Sequence, residues 1–257
     1  MRPWRKRSVP TGRDFLRLIW RLDEKVQRTT DKRIAKLGRK APGCFAGLGT
    51  AQTQLHLLAS CFYGCRGGDH VIEYLSGRVC GLARSSIRLL RFGFYDEALT
   101  LTRSVGEIAN LVQLFELEGG AFTEWKSSTR VVRLRKYGPA AVRKRLEELG
   151  ASPGLTQDWY GLICERATHP TPLTKPNAFN PIGVPLASPQ VQDAGVLVCL
   201  NELGQALCHY IVHALALLNV DKDIRLGVLN EVRSLAENLG GVTLNELPNL
   251  WVRHETT

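Results

Sequence analysis

From Phe94 to Leu117 the apolar positions fall at Ala98, Leu101, Val105, Ile108, Val112 and Phe115. This alternating step of three and four residues predicts a helix buried along one side. Asp96, Arg103, Glu107 and Asn110 take the other side, either as a solvated face with an Arg103–Glu107 pair at i,i+4 or as a polar track lining a groove. The same periodicity runs through 52–63, 69–90 and 155–168, through 191–220 where it is most apolar, and through 221–239. The turn at Gly64 to Gly68 and the glycine at Gly93 separate neighbours by short connections, which makes them antiparallel. No stretch alternates with period two, so the pattern predicts an all-α fold, an antiparallel helical bundle.

Two stretches break the pattern. APGCFAGLG, residues 41–49, holds one proline and three glycines and is expected to be a hinge before the body. His169 to Pro189 carries Pro170, Pro172, Pro176, Pro181, Pro185 and Pro189, half of the protein's 12 prolines, and can be neither helix nor central strand. Phe179, Ile182 and Val184 within it predict a loop pinned to the body. The expected organisation is a basic N-terminal arm over 1–40, a helical bundle over 41–240 with the proline-rich loop at 169–189, and a tail over 241–257.

Charge sharpens that division. The chain of 257 residues carries a net +10, and residues 1–40 hold 14 Lys and Arg against 4 Asp and Glu, while the remaining residues hold 20 of each. Phe15, Leu18, Ile19, Leu22, Val26, Ile34 and Leu37 keep helical spacing through this region, which predicts a basic amphipathic helix. Such a helix could bind phosphates, dock a partner, or pack on the body as an ordinary solvated helix. A second basic stretch, KSSTRVVRLRKYGPAAVRKR from Lys126 to Arg145, has eight basic residues and no acidic one. The candidate nucleic-acid contacts are therefore Arg5, Lys6, Arg7, Arg13, Arg17, Arg21, Arg133, Arg135 and Lys136.

Seven cysteines without a framework spacing read as reduced core thiols. No charged segment followed by an apolar core opens the chain, and no apolar run approaches a bilayer's thickness, so a bacterial-type cytoplasmic location with no membrane partner is expected. His209 and His213 stand at i,i+4 on a face with Gly195, Cys199, Glu202 and Ala206, but two ligands do not complete a site; packing histidines are expected, and no metal or cofactor. P-loop, dinucleotide, HExxH, GxSxG and paired CxxC motifs do not occur.

ALTLTRSVGEIANL, with Arg103 and Glu107, followed by a helix carrying Tyr160, Glu165 and His169 in WYGLICERATHP, resembles the HEPN-like all-helical proteins, especially a branch associated with bacterial mobile elements. The resemblance covers about residues 69–220. It implies a dimeric helical bundle with a polar cleft, engaged in RNA cleavage or in toxin-like and antiviral defence systems. The HEPN ribonuclease signature places four to six residues between an Arg and a His; two separate Arg166 from His169 here. Two expectations follow. In one, the chain is a metal-independent endoribonuclease in which His169 moves the proton, Arg103 or Arg166 stabilises developing charge, Glu107 orients its neighbours and Tyr160 edges the cleft. In the other, it is a non-catalytic nucleic-acid-binding or assembly module, with RNA preferred to DNA and a homodimer or a larger complex as the working form.

Overall fold

A computed structural model of the chain describes residues 11–40, 42–65, 68–169, 189–218 and 220–238. Arg5, Lys6 and Arg7, the loop over 170–188 and the tail over 241–257 lie outside the described residues, as does the side chain of Arg166. The described residues form ten α-helices, one π-helical segment and no strand, an all-α fold. In order the helices are α1 (Gly12–Lys40), α2 (Pro42–Ala59), α3 (Val71–Arg91), α4 (Tyr95–Leu117), α5 (Ala121–Ser127), α6 (Arg130–Lys136), α7 (Pro139–Glu148), α8 (Gln157–Ile163), α9 (Asp193–Leu217) and α10 (Lys222–Asn238). The π-helical segment, Cys164–Thr168, continues directly from α8.

The bundle is built on α4 and α9, the pair in most extensive contact, with α3 on α4, α2 on α3, and α10 against both α2 and α9. Close approach of α4 to α9 depends on Gly195, where a Cβ would come within 2.8 Å of the Tyr95 ring. Tyr95 is fully buried, and its hydroxyl accepts from the Gln192 backbone N–H at 2.9 Å, so one aromatic residue both fills the joint and satisfies the start of α9. Ala98, Val105, Val112 and Phe115 of the expected stripe are buried, but so are Thr102, Gly106, Ala109 and Asn110 around the rest of α4. A helix enclosed on several sides cannot keep its polar residues in water, so each must find a partner. Ser86 on α3 and Thr102 on α4 do so together, with hydroxyls 3.2 Å apart and both also bonded to the Ala98 carbonyl.

α9 is long and apolar enough to cross a bilayer by composition, with a mean hydropathy of 1.3 over its most apolar window, a length the uninterrupted apolar runs of the sequence did not suggest. That window is 72% buried within the bundle, where the same composition makes a core helix.

The break expected at 41–49 is instead the opening of α2. Pro42 stands in the first helical position, where its missing N–H costs nothing, and Gly47 admits a neighbour: a Cβ there would lie 2.4 Å from Leu235 Cδ1 on α10. The region before it is likewise not uniform. The second half of α1 docks on the body, where Thr30 is fully buried, Asp31 makes a two-pronged ion pair with Arg91 at 2.7 and 2.8 Å, and Arg33 approaches Asp193. The first half carries no buried residue, and every position from 11 to 17 is exposed.

Candidate functional site

The sequence candidates divide into two groups in space. α4 runs antiparallel to the loop, α8 and π-segment that follow α7, and hydrogen bonds set the register. Asn110 Nδ2 donates to the Leu155 carbonyl at 2.8 Å while Leu155 N–H donates to Asn110 Oδ1 at 2.9 Å, and a turn further on Gln113 Nε2 reaches the Ser152 carbonyl at 3.1 Å. Asn110, expected on a solvated face or a groove wall, is thus a buried clamp. At the other end, the Thr100 hydroxyl lies 3.0 Å from the Ala167 carbonyl and 3.4 Å from the Thr168 hydroxyl.

Between those anchors Arg103, Glu107 and Tyr160 meet. Arg103 Nε lies 3.3 Å from Glu107 Oε1 in an ion pair not aligned as a hydrogen bond, its Nη1 donates to Cys164 Sγ at 3.2 Å, and its guanidinium stands 5.1 Å from the Tyr160 ring centre. Arg143 of α7 approaches the same ring at 4.3 Å and donates to Gln157 Oε1 from Nε and Nη2, at 3.1 and 2.6 Å. Two guanidiniums therefore share one aromatic ring, and Arg143 is only 3% exposed. Burial pushes the Glu107 carboxyl above its ordinary range, and Arg103 and Arg143 pull it partly back. Tyr160 is raised as well, first by burial and then by Cys164.

His169 belongs to the other group. It is exposed and immediately follows the π-segment, whose last hydrogen bond runs from His169 N–H to the Cys164 carbonyl at 2.7 Å. Thr168 sits beside Thr100, seven residues before Glu107, which is roughly 10 Å along the helix axis. The Arg103 guanidinium is aimed the other way, toward Glu107 and Tyr160.

The basic candidates are also of two kinds. Arg13, Arg17 and Arg21 lie on the exposed half of α1, with only a loose Asp14–Arg17 pair at 3.6 Å and an Arg21 Nε bond to the Arg17 carbonyl. On α6, Arg133 bonds the Ser128 carbonyl and Lys136 pairs with Glu124, so both are engaged locally, while Arg135 is exposed.

A second polar cluster flanks the first on the α9 side. Trp159 Nε1 donates to Glu202 Oε2, and with His209, Gln205, Gly106 and Gly154 they line a small cavity between α4, α8 and α9. His209 Nε2 faces Gln113 Oε1 at 2.9 Å and Gly154 N–H at 3.3 Å; His213 pairs with Glu116, and the two imidazoles stand edge to face at 4.5 Å. The histidines pack and hydrogen-bond as the sequence reading expected.

Sequence reasoning missed Arg143, Cys164 and Gln157. Arg143 sat inside a basic run that reads as solvated, and nothing in its spacing marks it as buried. Cys164 looked like an apolar helix position. Glu202 carried a usable signal, a carboxylate in the most apolar helix, and Trp159 is the donor that explains it. Among the cysteines, Cys164, Cys199 and Cys208 are buried as expected of core thiols, but Cys65 is exposed and Cys61 half-buried beside His70 and Glu73. Those four residues are the group among the described residues that could hold a metal ion, a possibility the absence of a framework spacing had hidden. Comparisons with protein-family models, curated proteins and solved structures find no match to this chain.

Proposed function

We propose that the protein binds nucleic acid, single-stranded RNA before DNA, through the exposed half of α1, and does so without cutting it. The observation that carries this reading is the pairing of charge with bare aromatic surface: Arg13, Arg17 and Arg21 alternate with Phe15, 41% exposed, and Trp20, 61% exposed, on a helix that is docked only further along. Guanidiniums neutralise phosphates, and exposed rings offer stacking faces that every base can use. The HEPN-like resemblance, which rests on the Arg103–Glu107 helix together with Tyr160, Glu165 and His169, favours RNA as the ligand, with a homodimer or larger cytoplasmic assembly as the working form.

The test is fluorescence anisotropy of labelled single-stranded RNA and DNA with the full-length protein across a salt series. Replacing Arg13, Arg17 and Arg21 together by Gln should flatten the log–log salt slope by roughly 2, at about 0.7 per phosphate contact. Trp20→Ala should weaken binding by about 1–3 kcal/mol with the slope retained. Unchanged slope and affinity in both variants would remove α1 from the interface.

Endonuclease action is the second reading, favoured by the cluster in which the Glu107 carboxyl, raised by burial, pairs with Arg103 beside the Tyr160 ring that Arg143 also approaches. Cleavage of RNA by the purified chain, lost in Glu107→Gln while the helical circular dichroism persists, would replace the non-catalytic reading.

A further inference from the structure

The corner between α2 and α3 is held in an unusual way. Among the described residues, the non-glycine positions with positive φ are Cys61, at 59°, and His70, at 53°, and they stand at the two ends of this corner. Cys61 follows α2 by two residues and His70 directly precedes α3. Their side chains turn toward each other, Cys61 Sγ lying 3.2 Å from His70 Nδ1. Cys65 and Glu73 complete the cluster, and one ligand atom from each of the four falls within 4.8 Å of the others.

Glu73 is the informative member. It lies in the first turn of α3, is 2% exposed, and neither carboxylate oxygen has an N–H or O–H donor, the group that reaches it being the Cys65 thiol. The hydroxyls nearby are committed elsewhere, Ser76 and Tyr210 to each other at 2.8 Å. A buried carboxylate with only a weak thiol donor calls for a cation. The groups that surround it, two thiols and an imidazole, are ligands that thiophilic divalent ions prefer to water.

We propose that Cys61, Cys65, His70 and Glu73 form a structural zinc site that ties the end of α2 to the first turn of α3. The spacing, three residues between the cysteines, four to the histidine and two more to the glutamate, fits a short zinc-binding corner. Bond lengths of about 2.0–2.3 Å set tetrahedral ligand–ligand distances of roughly 3.3–3.8 Å, so binding draws the widest pair in by roughly 1 Å. Cys65, the exposed member, has the room to make that movement. With two thiolates, one imidazole and one carboxylate filling four positions, the ion has no open coordination site, which gives it a structural role.

The experiment measures metal in full-length, tag-free protein purified under reducing conditions without added chelator. Elemental analysis should give about one zinc per chain. Replacing the zinc with Co²⁺ should produce thiolate-to-cobalt charge-transfer absorption together with the d–d bands of a tetrahedral site. Cys61→Ser and Cys65→Ser should lose the metal, and Glu73→Gln, nearly equal in volume, should weaken its retention against a competing chelator. Cys80→Ser, outside the cluster, should keep it. Protein stripped of metal should melt at a lower temperature than the loaded form and recover on addition of zinc. The assignment is overturned if the wild-type chain neither carries nor takes up zinc or cobalt. It is also overturned if metal persists in the Cys61→Ser/Cys65→Ser double variant, or if thiol counting shows those cysteines joined to each other. The cobalt spectrum of the wild-type protein decides the matter even where a cysteine variant fails to fold.

Discussion

His209 gives the chain a built-in sensitivity to acid. Burial, with the neighbouring His213 second, pushes its imidazole down from 6.5 to about 3. In the unfolded chain the same ring takes up a proton below its ordinary value, so between these two limits the unfolded state binds the proton and the native state refuses it. Stability is therefore full above the unfolded value and is lost as pH falls toward the native one. At pH 6.5 the loss is about 0.4 kcal/mol, and by pH 5.0 it reaches about 2 kcal/mol, the slope tending to 1.36 kcal/mol per unit. His209→Gln keeps a polar group beside Gln113 but cannot titrate. Urea denaturation of wild type and variant from pH 7.5 to 5.0 should show wild type losing about 2 kcal/mol more over that range. The comparison cancels the contributions of other titrating groups common to both. If the stability difference between the two proteins stays constant with pH, the imidazole is not held neutral by its surroundings and the account of this cluster fails.

The neighbouring contacts make further predictions. Gly154→Ala would put a Cβ 2.3 Å from His209 Cγ, so the ring must move, and thermal denaturation should register a cost of about 1–3 kcal/mol. Asn110→Ala removes both arms of the clamp on Leu155 and strands a buried N–H and carbonyl, which should cost about 2–4 kcal/mol in urea unfolding; a cost under half of this would mean that the loop repairs itself with water. Asp31→Ala breaks only a partly exposed pair with Arg91 and should cost no more than about 1 kcal/mol by the same measurement. Truncation before Leu22 should leave the melting temperature within a few degrees, whereas truncation after Lys40 strips away buried Thr30 and should lower it markedly.

Periodicity made the helices legible because most of them bury one stripe, and the stripe of α4 is where the sequence is most regular. The same regularity concealed that α4 is enclosed on several sides. Asn110 and Arg103 read as outward-facing because their partners, Leu155 and Tyr160, come from a segment far along the chain that no local pattern could place there. Glycine misled at 41–49 for a related reason. Gly47 is there for the approach of Leu235, a tertiary demand that looks in sequence like a break. The half-docked state of α1 was hidden too, since Phe15 and Ile34 share one helical stripe and differ only in what the bundle sets beside them. Cys61, Cys65, His70 and Glu73 were visible as residues, but their convergence depends on two left-handed backbone turns that spacing alone does not announce.

The π-helical segment after α8 amounts to a reading-frame shift in space. The bond from His169 N–H back to the Cys164 carbonyl spans five residues where an α-helix spans four, so one residue has been accommodated beyond what the regular helix would hold. Deleting a single residue from 164–168 would let the helix close its ordinary ladder with little backbone damage. Because the wide turn holds five residues in about the sweep that four make in an α-helix, the deletion would leave His169 aimed much as before and take one side chain out of the turn. The spare residue is thus absorbed on the spot: one fewer leaves the bundle standing and changes only which side chains of 164–168 the turn sets against Thr100 and Arg103.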